Sequence, residues 1–345
     1  MLLAALVAAL ALAACGGDDD SAGTGGDPVS GDTSAEDVLD QALGGGGDSI
    51  QSGVLDLEFN LQSDTADLGS IQASLKGPFS SNGDGELPSV DFDIAAGADV
   101  GGPTLNFQGA LILTPDGLWV NYGDQDYQLD DTAFAQVKDS YAKSSDLQDS
   151  EQQESSFSQF GVDPQTWLTD VTNEGTEDID GTETVHVSGT GDIAKIVDDL
   201  GSVAEQSGQE QLDSSQLDQL EKSVSDAQVD VYADADDGSL RQLDVTLDVA
   251  NGAGQGTSTV ALSIGIADPN SDQEISTPED SLPLSDLLGQ FPGAADSLGG
   301  LSPGSTSDGA DSGAVPDAGG SAEYYQCVQE APTSEAVADC SKLLQ

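Results

Sequence analysis

Apolar and polar residues alternate with a period of two through much of the first third of the chain. Leu55, Leu57, Phe59 and Leu61 are interleaved with Asp56, Glu58 and Asn60. The pattern recurs at Ile71, Ala73 and Leu75, and at Val90, Phe92 and Ile94. Leu105, Phe107, Gly109, Leu111 and Leu113 repeat it, as do Leu118, Val120 and Tyr122. Successive side chains of a strand point to opposite faces, so this pattern predicts an antiparallel sheet that is apolar on one face and wet on the other. Asn82-Gly83-Asp84-Gly85 and Pro115-Asp116-Gly117 separate the runs. They read as turns, because Gly accepts the positive φ that tight hairpins need. A meander of five or six strands is expected.

Other stretches change period. Ser34 to Leu43 predicts a short helix, with Ser34 as N-cap, Glu36 and Asp37 in the first turn, and Gly44 to Gly47 as the stop. Phe134, Val137 and Tyr141 fall at i, i+3 and i+7 after Asp131-Thr132, which predicts a second helix. Asp163-Pro164 reads as an N-cap followed by proline at the first helical position, with Trp167 and Leu168 one turn on. Two strands, Val171 to Ile179 and Thr182 to Ser188, turn at Asp180-Gly181. Ile193, Ile196, Val197 and Leu200 predict another helix, and Leu212, Leu217, Leu220 and Val224 one more. Strands then return. Val229 and Val231 lead into the turn Asp236-Asp237-Gly238, followed by Leu243, Val245, Leu247 and Val249, then by Val260, Leu262, Ile264 and Ile266. Segregated blocks of this kind predict an α+β fold, a large antiparallel sheet with helices on one face.

The ends differ from this middle. Leu2 to Ala14 is an apolar run too short to span a bilayer as a helix and reads as the core of a signal peptide. It closes on Leu12-Ala13-Ala14-Cys15, which resembles the lipobox of bacterial lipoproteins. That resemblance makes residues 1–15 the signal peptide and Cys15 the residue that receives a diacylglyceryl group. The alternative is an ordinary secretory signal with a chance cysteine. Residues 16–33 are mostly Gly, Asp, Ser, Thr and Ala and read as a flexible tether with an r.m.s. span of roughly 20–25 Å. Residues 34–280 make the domain, and 281–320, rich in Pro, Gly and Ser, a linker with a short Leu284 to Leu288 helix. Residues 321–345 read as two short helices folded back on each other.

Composition narrows the partners. The 345 residues include 64 acidic and 7 basic ones, a net charge of -57. Such a surface repels phosphate backbones and excludes nucleic acid as a partner. It also argues against polybasic contact with anionic lipid heads, leaving the acyl anchor on Cys15 as the hold on the membrane. The acidity is read as a dispersed solvating shell, with cation or basic-partner binding as the alternative. Cys327 and Cys340 remain as a disulfide pair in an exported chain. Closing so short a loop is worth ~3 kcal/mol of chain entropy.

No motif for covalent, metal or phosphate chemistry stands in the context that it needs. His186, the only histidine, excludes histidine-pair metal sites and lies on a predicted strand as a structural residue. Gly300-Leu301-Ser302-Pro303-Gly304 spells G-x-S-x-G, but a nucleophile elbow needs a strand before and a helix after it, not a Pro/Gly linker. Asp234, Asp236, Asp237 and Gly238 lack calcium-loop spacing, and Gly252-Ala253-Gly254-Gln255-Gly256 lacks dinucleotide-loop spacing. No enzyme activity and no cofactor are expected.

Residues from about 36 to 280 resemble the mycobacterial LppX/LprAFG lipoproteins and their LolA-like relatives. The resemblance is carried by Asp163-Pro164, by the stretch from Gly175-Thr176 through Asp180-Gly181-Thr182 and Val185-His186-Val187 to Gly189-Thr190, and by Ile275-Ser276-Thr277-Pro278. It implies a strongly curved antiparallel β half-barrel with helices on its concave face. An apolar cavity between the two would hold acyl chains of envelope lipids. The acidity and the small disulfide-linked C-terminal helical hairpin depart from that pattern, and the hairpin is a candidate contact for an envelope protein partner.

The candidate cavity residues are Phe59, Phe92, Phe107, Trp119, Phe134, Tyr141, Trp167, Val245, Leu247, Leu262 and Ile264. As bare core residues they would need no further explanation. Two readings therefore stay open. One is a lipoprotein anchored to the outer face of the cell membrane, extracytoplasmic, that carries or transfers a lipid. The other is a non-enzymatic envelope sensor or scaffold with a solid core.

Overall fold

In the computed structural model the alternating stretches pair into one sheet of 12 strands. The structure describes residues 27–44, 50–65, 69–83, 85–99, 104–123, 125–148, 163–206, 214–251 and 256–290. Cys15, Cys327, Cys340, the C-terminal hairpin, the G-x-S-x-G stretch and most of the linker lie outside them.

The first six strands are β1 (Ser52–Ser63), β2 (Ser70–Ser80), β3 (Ser89–Asp99), β4 (Leu105–Thr114), β5 (Gly117–Tyr122) and β6 (Gln125–Gln128). Each pairs antiparallel with its sequence neighbour, which is the expected meander. A second meander follows, β7 (Leu168–Ile179), β8 (Thr182–Gly191), β9 (Val224–Asp234), β10 (Leu240–Ala250) and β11 (Thr257–Ala267). β1 and β11 then join the two, with Leu57 opposite Ile264 and Phe59 opposite Leu262. β12 (Leu282–Pro283) adds to β6 in parallel. The sheet is open, with β7 at one edge and β12 at the other.

The turns follow their chemistry, with one exception. Asp180 and Gly181 have φ of 51° and 87°, as a two-residue hairpin loop requires, and Ile179 faces Thr182 across it. Between β4 and β5 the turn residues are Pro115 and Asp116, since Thr114 pairs with Gly117. Gly117 thus lies in the strand. It is needed there for space, because a Cβ on it would stand 2.6 Å from the Trp119 ring.

The helices are α1 (Ala35–Leu43), α2 (Asp131–Gln148), α3 (Ile193–Gln206), α4 (Ser214–Ser223) and α5 (Leu284–Leu288). Ser34 caps α1 as expected, accepting from the Asp37 N–H at 3.2 Å and donating to its carboxylate at 2.7 Å. Pro164–Trp167 is a 3-10 turn in which Asp163 makes no side-chain cap bond, its carbonyl accepting from Thr166 instead. Val224, expected in a helix, begins β9. Val38, Leu39 and Leu43 of α1, Ala133 and Phe134 of α2, Ile196 of α3, and Leu284 and Leu287 of α5 join one core with the apolar sheet face. That shared core places these helices on one side of the sheet, called here the inner face.

Residues 27–33, expected in the tether, are held to the domain. Val29 is 3% exposed within the core, and its N–H donates to the Ala235 carbonyl at 3.0 Å. Asn173 on the edge strand donates to the carbonyls of Ser30 and Thr33 at 3.1 and 2.8 Å. A Gly/Ser/Asp segment cannot build a core of its own, but one valine can join a core built by others.

Candidate ligand site on the inner face

The two ends of the sheet differ. At the turn end lie the β4–β5, β7–β8 and β9–β10 turns, together with the strap formed by residues 27–33. At the open end lie Asp64 and Thr65 after β1, Gly69 before β2, Thr104 before β4, Gly123 after β5, and Asn251 and Gly256 between β10 and β11. Most inner-face residues near the turn end are buried, Ile266 and Leu118 being half-buried, and the same face loses its cover toward the open end on neighbouring strands. On β1, Leu55 and Leu57 are buried whereas Phe59 and Leu61 are half-buried. On β2, Ala73 and Leu75 are buried and Ile71 half-buried. On β3, Phe92 is wholly buried, then Ile94, Ala96 and Ala98 are half-buried. On β4, Leu113 is buried, Leu111 half-buried, Phe107 42% exposed and Leu105 64% exposed.

The register aligns these positions into rows. Val245, Leu262, Phe59, Ala73, Ala96 and Phe107 are successive cross-strand partners from β10 to β4. The next row toward the open end runs Leu247, Val260, Leu61, Ile71, Ala98 and Leu105 through the same pairings. Phe107 stacks on Tyr122 of β5 with ring centroids 5.7 Å apart and planes 16° off parallel. The open part runs over β11 and β1–β5, and Val249 of β10 beside it is also half-buried. On β8 and β9 the same end is closed, with a Cβ at Gly191 standing only 2.8 Å from Ala227 and 2.9 Å from Ile196 of α3.

The eleven predicted cavity residues therefore separate into three groups. Phe92, Phe134, Trp167, Val245, Leu247 and Ile264 are buried members of the core. Trp167 is held there by its indole N–H, which donates to Asp199 of α3 at 2.7 Å. Phe59, Leu262 and Phe107 lie on the open half, the first two partly covered, and Tyr141 of α2 packs partly buried against the core. Trp119 is placed differently. It pairs with Ile112 and so faces away from Leu111, Leu113 and Val120, buried over Gly117 on the outer face. The odd-numbered position broke the alternation of Leu118, Val120 and Tyr122, which was the available warning. Leu61, Ile71, Ile94, Leu111 and Val260 belong to the open half but were not singled out. Their alternation put them on the apolar face, and only strand pairing shows how far along it they lie.

The outer face is polar. His186 Nε2 lies 2.9 Å from Asp230 Oδ1 and its Nδ1 3.8 Å from Glu177, while its ring stacks on Tyr232 at 4.4 Å. Burial, then the charges of Asp230, Asp244 and Glu177, push the Tyr232 hydroxyl up to about 12. Arg241 is paired with Asp234, its Nε at 2.8 Å. These pairings hold the polar side chains of this face to one another. Among the described residues no group of three His, Cys, Asp or Glu side chains could hold a metal ion, and no helix is long and apolar enough to cross a membrane.

No protein-family model and no curated protein matches the chain. Solved structures do. The chain is similar in architecture to LprF from Mycobacterium bovis, at 13% identity over 73% of this chain and 99% of that one, with a TM-score of 0.36. The Mycobacterium tuberculosis lipoprotein LppX matches at 11% identity over 66% and 90%, with a TM-score of 0.29. A DUF1329 family protein from Desulfovibrio piger matches at 13% identity over 70% and 93%, with a TM-score of 0.21.

Proposed function

We propose that this chain is a membrane-tethered lipoprotein that holds acyl chains of an envelope lipid on the open half of its inner face. The role is carriage or transfer, with no bond made or broken. Cys15 would carry the diacylglyceryl anchor and place the domain on the outer face of the cell membrane. The observation that carries the reading is the loss of cover along β1 to β4, from Leu57 at 2% to Phe107 at 42% and Leu105 at 64% exposed. An apolar face continuous with the core, yet left partly in water, is the mark of a binding surface. Covering it with hydrocarbon contributes about 25 cal/mol per Å² of apolar area, or about 0.8 kcal/mol per CH₂.

The scaffold reading draws on the other half of the same face, where Phe92, Phe134, Trp167, Val245 and Ile264 form a solid core. Over-packing separates the two. Val245→Trp and Ile264→Trp intrude on filled space and should lower stability by about 1–3 kcal/mol each. Leu262→Trp and Ile71→Trp should leave the unfolding free energy of the empty protein nearly unchanged and reduce uptake of a fluorescent acyl probe. Native mass spectrometry of wild-type protein purified from its own envelope should show bound lipid. Equal loss of stability at all four positions, with no lipid on the wild type, would leave the scaffold.

A further inference from the structure

Large side chains stand around the open half and small ones at its middle. In the row that ends at Phe107, the two strands between Phe59 of β1 and Phe107 of β4 contribute Ala73 and Ala96. In the next row toward the open end, Ala98 lies between Ile71 and Leu105. Toward the turn end from Ala96, β3 carries Ile94 and then Phe92, which is 0% exposed. Phe107 is a side chain long enough to lie over these alanines, and it is held away from them. Its ring reaches back along its own strand to within 3.1 Å of a Cβ position at Gly109. There it stacks on Tyr122, the cross-strand partner of Gly109. Ala96 and Ala98 remain half-buried in the middle of an apolar face.

Resting on the carrier reading, we infer that the acyl chain lies lengthwise along β3, over Ala98 and Ala96 with its end against Ile94, and that the protein thereby measures chain length. A sheet face offers two directions. Across the strands the way is walled by Phe59 and Phe107, whose backbones stand about 14 Å apart at three strand spacings. Along β3 no large side chain intervenes from the open end until Ile94. That run is about 14 Å long at ~3.4 Å per residue. The alanines alone would make the face shallow there. The two walls, and the ring drawn aside over Gly109, make it a channel. Each methylene laid in the channel leaves water and multiplies the affinity about fourfold. Once the end of the chain meets Ile94, further methylenes stay in solvent at the open end and contribute nothing.

The test uses the full chain carrying Cys15→Ser and saturated monoacylglycerols of increasing chain length, each displacing a fluorescent acyl probe. Affinity should rise about fourfold per methylene and then level off. Ala96→Leu puts the stop two residues nearer the open end and should move the plateau to chains shorter by about 7 Å. Ile94→Ala removes the stop and should move the plateau to longer chains, a gain that loss of folding cannot imitate. Ala95→Leu, on the outer face of the same strand, should leave it in place. Affinity that climbs without levelling, or a plateau that Ala96→Leu and Ile94→Ala both leave unmoved, overturns the lengthwise chain while leaving the carrier intact. Failure of every probe to bind, the fluorescent one included, overturns the carrier reading and this inference with it.

Discussion

Single side chains show how little their type says without their place. Phe92 and Phe107 sit on the same face of adjacent strands, yet one is wholly buried and the other is 42% exposed. Trp119 has the composition of a cavity residue and the register of an outer-face one. Asp91 is a polar counterpart. It lies on the outer face of β3, and burial first and Asp93 second hold its carboxyl above the ordinary 3.8. A carboxylate raised in the folded state keeps its proton more readily there than in the unfolded chain, so stability is lost as pH rises through that range. Asp91→Asn is therefore expected to raise Tm at pH 7. The advantage should vanish as pH falls below 3.8, where wild type is protonated in both states. Thermal melts of both proteins at neutral and acid pH check this, and an unchanged Tm at pH 7 would show that the charged form carries no cost.

At the scale of elements, the strap of residues 27–33 departs most from the pattern along the chain. Its composition is that of a tether, and only its contacts make it part of the fold. Val29 lies 3% exposed in a core otherwise built by strands and helices, and Asn173 grips the backbone behind it. Val29→Ala should lower the unfolding free energy by about 1–2 kcal/mol in urea melts, a cost that a solvated tether residue would not show. Hydrogen exchange gives a second readout, since the Val29 amide is bonded to Ala235 and should be protected. An unprotected amide together with an unchanged midpoint would mean that the strap does not hold. The strap also has a consequence for the sheet edge. It crosses β7 where Gly31 packs against Gly175, 3.4 Å from a Cβ position, and covers part of an exposed edge that could otherwise pair with another chain.

For the molecule as a whole, the strap shortens the path to the domain from Cys15, the proposed anchor. Residues 16–26 separate Cys15 from Asp27, where the described structure begins. The strap docks at the turn end, so the open half of the inner face lies at the other end of the strands. With the anchor as the proposed hold on the membrane, Cys15→Ser should move the protein from the membrane fraction to the soluble fraction. Its folding, followed by circular dichroism, should stay the same. Retention of Cys15→Ser in washed membranes would show that some other surface binds there, against the repulsion expected from 64 acidic residues.

What could be read from the chain alone was local. Period-two alternation marks a strand and its apolar face within a few residues, and Asp-Gly at 180–181 marks a hairpin because its backbone demand is met by those two residues. The first meander, the strands of the second, the cap on α1 and the α+β class were legible for that reason. Strand order across the sheet was not. Leu57 meets Ile264 from the far end of the domain, a choice made by which apolar faces bury one another and not by either strand. The same holds for Val29, for Trp119 and for the division of one apolar face into a sealed half and an open half. Burial is a property of what lies on top of a residue, and on β8 and β9 that is Ile196 of α3, whereas on β1 to β4 the cover runs out before the strands do.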